Sequence, residues 1–115
     1  LEIERKVTLP EINIWVTREL GMLAPFGEGN PAPVLAAGPV EWVGTPTIFG
    51  QKGDHFRVFL KQNGTVLRGV GFGLAEICRN FFSTNKKLSI AFTPVLSEYQ
   101  GVYGVELRME DIHVH

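Results

Sequence analysis

The stretch from His55 to Phe72 constrains the fold more than any other. In His55 to Lys61, Phe56, Val58 and Leu60 fall on one side of an extended chain, while His55, Arg57, Phe59 and Lys61 fall on the other. Gln62-Asn63-Gly64-Thr65 follows, and Asn-Gly tolerates the positive φ that a two-residue hairpin turn demands. The partner strand, Val66 to Phe72, alternates Val66, Arg68, Val70 and Phe72 against Leu67, Gly69 and Gly71. Two glycines on one face predict a sharp bend or a close approach of backbone. The hairpin therefore offers one face to a core and presents a second that is basic with an aromatic.

Around it the chain reads as one helix followed by short strands. Thr8-Leu9-Pro10-Glu11 is a capping-box pattern, and it predicts a helix from about Leu9. Ile12, Trp15, Val16, Leu20 and Leu23 then form an apolar stripe, with Thr17 and Arg18 turned to solvent. Leu23 to Pro33 holds three prolines and two glycines in eleven residues, which suits an ordered joint rather than a helix or a central strand. From Val34 the period is two. Strands are expected at Val40 to Val43, continuing at Thr47 to Phe49, and at the hairpin. A short helix, Leu74 to Phe82, precedes strands at Lys87 to Leu96 and Tyr103 to Val114, with a turn at Ser97 to Gly101. This order predicts a mainly β protein: a five-stranded OB-type barrel with an N-terminal helix and a short helix between strands 3 and 4. Residues 1–33 would form a connector, helix and joint, and residues 34–115 the barrel, in one domain overall.

A chain of 115 residues with 44% hydrophobic residues can bury one compact core. No apolar run reaches the roughly 18 to 20 residues of a membrane span, and no signal-peptide pattern is present, so a cytoplasmic protein is expected. The chain opens at Leu1, inside a charged stretch, which suggests a piece of something larger. The single Cys78 lies beside Ile77 on an apolar helix face and is expected to be a buried thiol. A net charge of −1 argues against nucleic-acid binding by bulk electrostatics, so any basic surface must be local.

Catalytic material is sparse. Asp54 and Asp111 are the only aspartates, and His113 and His115 share a strand face without a third ligand at metal-binding spacing. No serine sits in a nucleophile elbow, and the glycine turns fit no phosphate loop. No catalytic residue, metal site or cofactor is therefore assigned. What the residues do offer is a surface: Lys52, His55, Arg57, Lys61 and Arg68 cluster on two strands and the preceding loop, with Phe59 among them. Cations that follow a backbone beside an aromatic that stacks on bases make a single-strand-binding surface. The alternative is an ordinary solvated strand with Phe59 packed beneath a loop.

Leu23-Ala24-Pro25-Phe26-Gly27-Glu28-Gly29-Asn30-Pro31-Ala32-Pro33 resembles the L-x-P-F-G-x-G-N-P-x-P segment that precedes the C-terminal OB domain of RecJ exonucleases. His55 to Leu60, Gly69 to Gly73 and Tyr99 to Ile112 resemble later segments of that family in the same order, so the likeness covers about Thr8 to Ile112. Glu106 departs from it where the family often has Gln, as does the Tyr99-Gln100 turn. The resemblance implies a bacterial, cytoplasmic enzyme that degrades single-stranded DNA in the 5′ to 3′ direction during recombination and repair. It places a manganese or magnesium site in a separate catalytic domain of the DHH superfamily, whose Asp-His-His triplet does not occur in this sequence. The implied partners are single-stranded DNA and that catalytic domain, with no membrane. A second expectation is a structural or protein-interaction barrel that closes the nuclease ring without touching DNA.

Overall fold

The hairpin is one part of a closed barrel. The computed structural model describes residues 3, 5–19, 33–81 and 87–115. Strand β1 (Arg5–Lys6) and a 3-10 turn (Leu9–Glu11) lead to α1 (Ile14–Glu19). The rest runs β2 (Leu35–Phe49), β3 (His55–Gln62), β4 (Thr65–Gly71), α2 (Ala75–Phe81), β5 (Leu88–Tyr99) and β6 (Val102–Val114). The sheet order is β1-β2-β3-β4-β6-β5, and β5 also pairs with β2, so five strands close on themselves. Closure satisfies strand edges that would otherwise be open to foreign chains. Helix α2 falls between the third and fourth barrel strands, which is the OB-type arrangement.

The inner face is set by the alternation. Phe56, Val58 and Leu60 of β3 are buried with Val40, Phe92 and Leu107 from other strands. Across the hairpin Gly71 faces Phe56 and Gly69 faces Val58. A β-carbon on Gly69 would lie 2.9 Å from Leu60 Cδ1 and 3.0 Å from Met109 Cε. The glycines thus make room for core side chains, which resolves the choice between a bend and a close approach. Asn63 and Gly64 have φ of 51° and 82°, as a two-residue hairpin turn requires. Helix α2 buries Cys78 and Phe81, and the Phe81 ring meets Trp42 and Phe56 at 5.2 and 6.1 Å.

The N-terminal segment is part of this construction. Arg5 and Lys6 pair in parallel with Leu35 and Ala36, and Val7, Leu9 and Ile12 enter the core. The Leu9 N–H donates to Gln62 Oε1 at 2.8 Å, and Gln62 Nε2 donates to the Pro39 carbonyl at 3.1 Å. One residue at the end of β3 therefore ties the N-terminal segment to β2.

Two sequence expectations need correction. The helix expected from Leu9 is instead a 3-10 turn followed by α1, because Ile12 is extended (φ −95°, ψ 101°) and buried. Asn13 then caps α1, its Oδ1 accepting from the Val16 N–H at 3.0 Å. The break resets the helical phase: Thr17 is buried and donates to the Asn13 carbonyl, whereas Trp15 is 70% exposed with Arg18 over its ring. The other correction concerns the start of the next strand: Val40 to Val43 and its continuation Thr47 to Phe49 do lie on one strand, with a register shift between Val43 and Thr47, but β2 begins earlier, at Leu35. Leu20 and the 23–32 part of the Pro/Gly-rich joint lie outside the described residues.

Candidate nucleic-acid interface

Outward-facing residues of β3 define the face. His55, Arg57, Phe59 and Lys61 alternate with the core residues, and Phe59 is 47% exposed. Their cross-strand neighbours on β2 are Phe49, Thr47, Val43 and Glu41, respectively. On β4, Arg68 lies opposite Phe59, Val70 opposite Arg57 and Val66 opposite Lys61. Lys52 is exposed in the turn that leads into β3, beyond its His55 end. At about 3.3 Å per residue, Lys61 stands roughly 20 Å along the strand from His55. The cations therefore follow the length of one strand rather than converge on a point.

Two of them have acidic company. Glu41 stands in register with Lys61 and also has Lys87 Nζ at 3.8 Å from its Oε1. Arg68 faces Glu106 across the parallel β4–β6 pairing, with Arg68 Nε 3.4 Å from Glu106 Oε1. The Arg68 and Glu106 side chains are only 12% and 10% exposed. Arg108 Nε approaches the other carboxylate oxygen at 3.3 Å.

At the His55 end an aromatic cluster forms that the sequence did not single out. Phe49, His55 and Phe72 meet edge to face or tilted, with ring centroids 5.4, 5.4 and 6.2 Å apart. The Arg57 guanidinium lies 5.2 Å from the Phe49 centroid, and that of Arg108 lies 5.7 Å from Phe72, both within cation–π range. His55 Nδ1 accepts the Gly73 N–H at 2.8 Å, which fixes the ring against the turn that carries Phe72. Phe72 remains 52% exposed, so the cluster offers a ring to solvent. The outward alternation of β4 pointed to Phe72. Phe49 and Arg108 become neighbours only through strand pairing.

The two histidines at the end of the last strand lie together. His113 and His115 stack edge to face, and the Ser89 hydroxyl pairs with His115 Nε2. Among the described residues no group of three or more His, Cys, Asp or Glu side chains could hold a metal ion, and no helix is long and apolar enough to cross a membrane.

A closed five-stranded barrel with a helix between its third and fourth strands defines an OB-fold domain. Solved structures share the fold. A putative aspartyl-tRNA synthetase from Leishmania major Friedlin superposes with a TM-score of 0.58 at 13% identity, over 95% of this chain and 20% of that one. Aspartyl-tRNA synthetase from Entamoeba histolytica gives 0.55 at 13% identity, over 99% of this chain and 25% of that one. An OBody bound to hen egg-white lysozyme gives 0.52 at 13% identity, over 71% and 80% of the respective chains. This chain spans a fifth to a quarter of those synthetases. No curated protein sequence matches it. The RecJ OB domain model matches residues 3–111, and the chain belongs to that family.

Proposed function

We propose that this barrel holds single-stranded DNA for a RecJ-type exonuclease that degrades it from the 5′ end in recombination and repair in the cytoplasm. Lys52, Arg57 and Lys61 contact successive phosphates, while Phe59 and the rim of Phe72 receive bases. Arg68 stands beside Phe59 on the neighbouring strand, in its pair with Glu106, and His55 braces the aromatic cluster. Strand cleavage belongs to a DHH-type catalytic domain, where an Asp-His-His-type constellation would hold manganese or magnesium. The observation that carries this reading is the outward row of β3, where Arg57, Phe59 and Lys61 share one face with Phe59 nearly half exposed.

Fluorescence anisotropy with a labelled single-stranded oligonucleotide tests it. With about three phosphate contacts, log K falls with log salt at a slope of about −2. The double variant Arg57→Glu, Lys61→Glu should lose binding while its melting temperature stays at the wild-type value. Binding indifferent to salt, or stronger to duplex than to single strand, would overturn the proposal.

A second reading is a protein-interaction barrel that closes a ring around the catalytic domain. The net charge of −1 favours it, as does the lysozyme-bound OBody, which has the same fold. Unchanged oligonucleotide affinity in the charge-reversed variant supports this second reading.

A further inference from the structure

We infer that Lys87 is a further phosphate contact, placed where it turns the polynucleotide out of the β3 row and across β2 toward the start of β5. The inference rests on the single-strand-binding reading above and extends that face beyond Lys61.

The cationic row on β3 stops at Lys61, but the barrel surface continues. Lys61 is in register with Glu41 of β2, and Val40 beside it pairs with Leu88, so Lys87 lies on the opposite side of β2 from Lys61. Neighbouring strands run about 4.8 Å apart, which separates the Lys61 and Lys87 backbones by roughly 10 Å. The Lys87 backbone is fixed, since its carbonyl accepts the His115 N–H at 2.9 Å. Both lysines line one open cleft of about 220 Å³, together with Pro39, Glu41, Gln62 and Asn63. Gln62 is committed to the fold: its Oε1 takes the Leu9 N–H and its Nε2 donates to the Pro39 carbonyl. The wall between β3 and β2 is therefore held in shape by bonds that a ligand does not need to break.

The lining decides what the cleft can take. It contains no aromatic ring, so a base has nothing to stack on, and two ammonium groups against one carboxylate leave one net positive charge. That suits a backbone phosphate, held without regard to sequence. Glu41 is the competing anion, with its Oε1 3.8 Å from Lys87 Nζ and both side chains more than half exposed. An exposed pair at that distance is weak, and an ammonium on a flexible four-carbon stem swings readily from a carboxylate to a phosphate. Lys61 and Lys87 thus reach phosphates on either side of Glu41, and the strand leaves the β3 row by crossing β2.

The contacts at Lys52, Arg57 and Lys61 alone give a salt slope of about −2, and a fourth brings it to about −3. Lys87→Gln alters an exposed side chain and should melt as wild type. Measured by anisotropy on fluorescein-labelled oligo(dT) between about 50 and 200 mM KCl, its slope should be shallower than that of wild type by about 0.7. Its affinity at 0.1 M salt should be about 5-fold lower.

Nuclear magnetic resonance of the wild-type protein locates the contact independently of any variant. On titration with oligo(dT), the amide resonances of Glu41, Asn63 and Lys87 should shift together with those of Arg57 and Lys61. Shifts that stop at Lys61, or a Lys87→Gln variant with wild-type slope and affinity, overturn the inference. Wild-type protein that does not bind oligo(dT) defeats the single-strand-binding reading and this inference with it. Wild-type binding that Lys87→Gln leaves unaltered defeats this inference alone.

Discussion

Adding one methyl group at Gly71 tests the packing that carries the interface. Gly71 ends β4 immediately before Phe72, and it faces Phe56 across the hairpin. A β-carbon there would overlap Phe56 Cε1 and lie 3.0 Å from Phe56 Cδ1 and 3.1 Å from Leu74 Cβ. The Phe56 ring is fully buried and is backed by Phe81, so it has nowhere to retreat. Overpacking of this kind costs about 1 to 3 kcal/mol, and a fixed ring puts Gly71→Ala near the upper end. The reduced freedom of the unfolded chain returns about 0.4 to 1 kcal/mol. The net loss is about 2 kcal/mol, or about 8 °C in melting temperature for a domain of this size. Gly104→Ala is the control, since nothing lies within 4 Å of its β-carbon, and it should melt at or slightly above wild type. Thermal denaturation followed by circular dichroism measures both. Equal melting of the two variants would refute the reasoning.

Phe72→Ala removes a half-exposed ring and should leave melting near wild type, while weakening oligonucleotide binding by about 1 to 3 kcal/mol without changing the salt slope; an abasic oligonucleotide should erase the difference between variant and wild type. Burial raises the Cys78 thiol above its ordinary value of 9.0, with Arg79 opposing weakly. Below that value the thiol is protonated folded or unfolded, so its contribution to stability is intact. As pH rises past 9.0 the unfolded thiol ionises first and stability declines. Thiol-reagent labelling near neutral pH should accordingly proceed at the unfolding rate, and fast labelling of the native protein would contradict a buried Cys78.

The sequence revealed what is local. The β3–β4 hairpin was legible because a two-residue period, an Asn-Gly turn and a glycine-lined inner face all lie within one stretch of chain. Helix α2 was legible because Ala75, Cys78 and Phe81 recur on one side of a short segment. The start of α1 was not, because a capping pattern at Thr8 competes with the pull of the core on Ile12, and burial of Ile12 in an extended conformation wins. The charge of the interface is obscured for a related reason. Arg68 looks like an available cation on its own strand, and its carboxylate partner arrives from 38 residues further along through a parallel pairing that local alternation does not encode. Strand patterning identifies which cations face outward but not which are already neutralised. Counting β3 and β4 alone thus overstates the charge available to phosphates at this face. The residue that corrects the count, Glu106, stands out in the sequence only as an acid where the RecJ pattern often has Gln, and its place beside Arg68 depends on the pairing of β4 with β6.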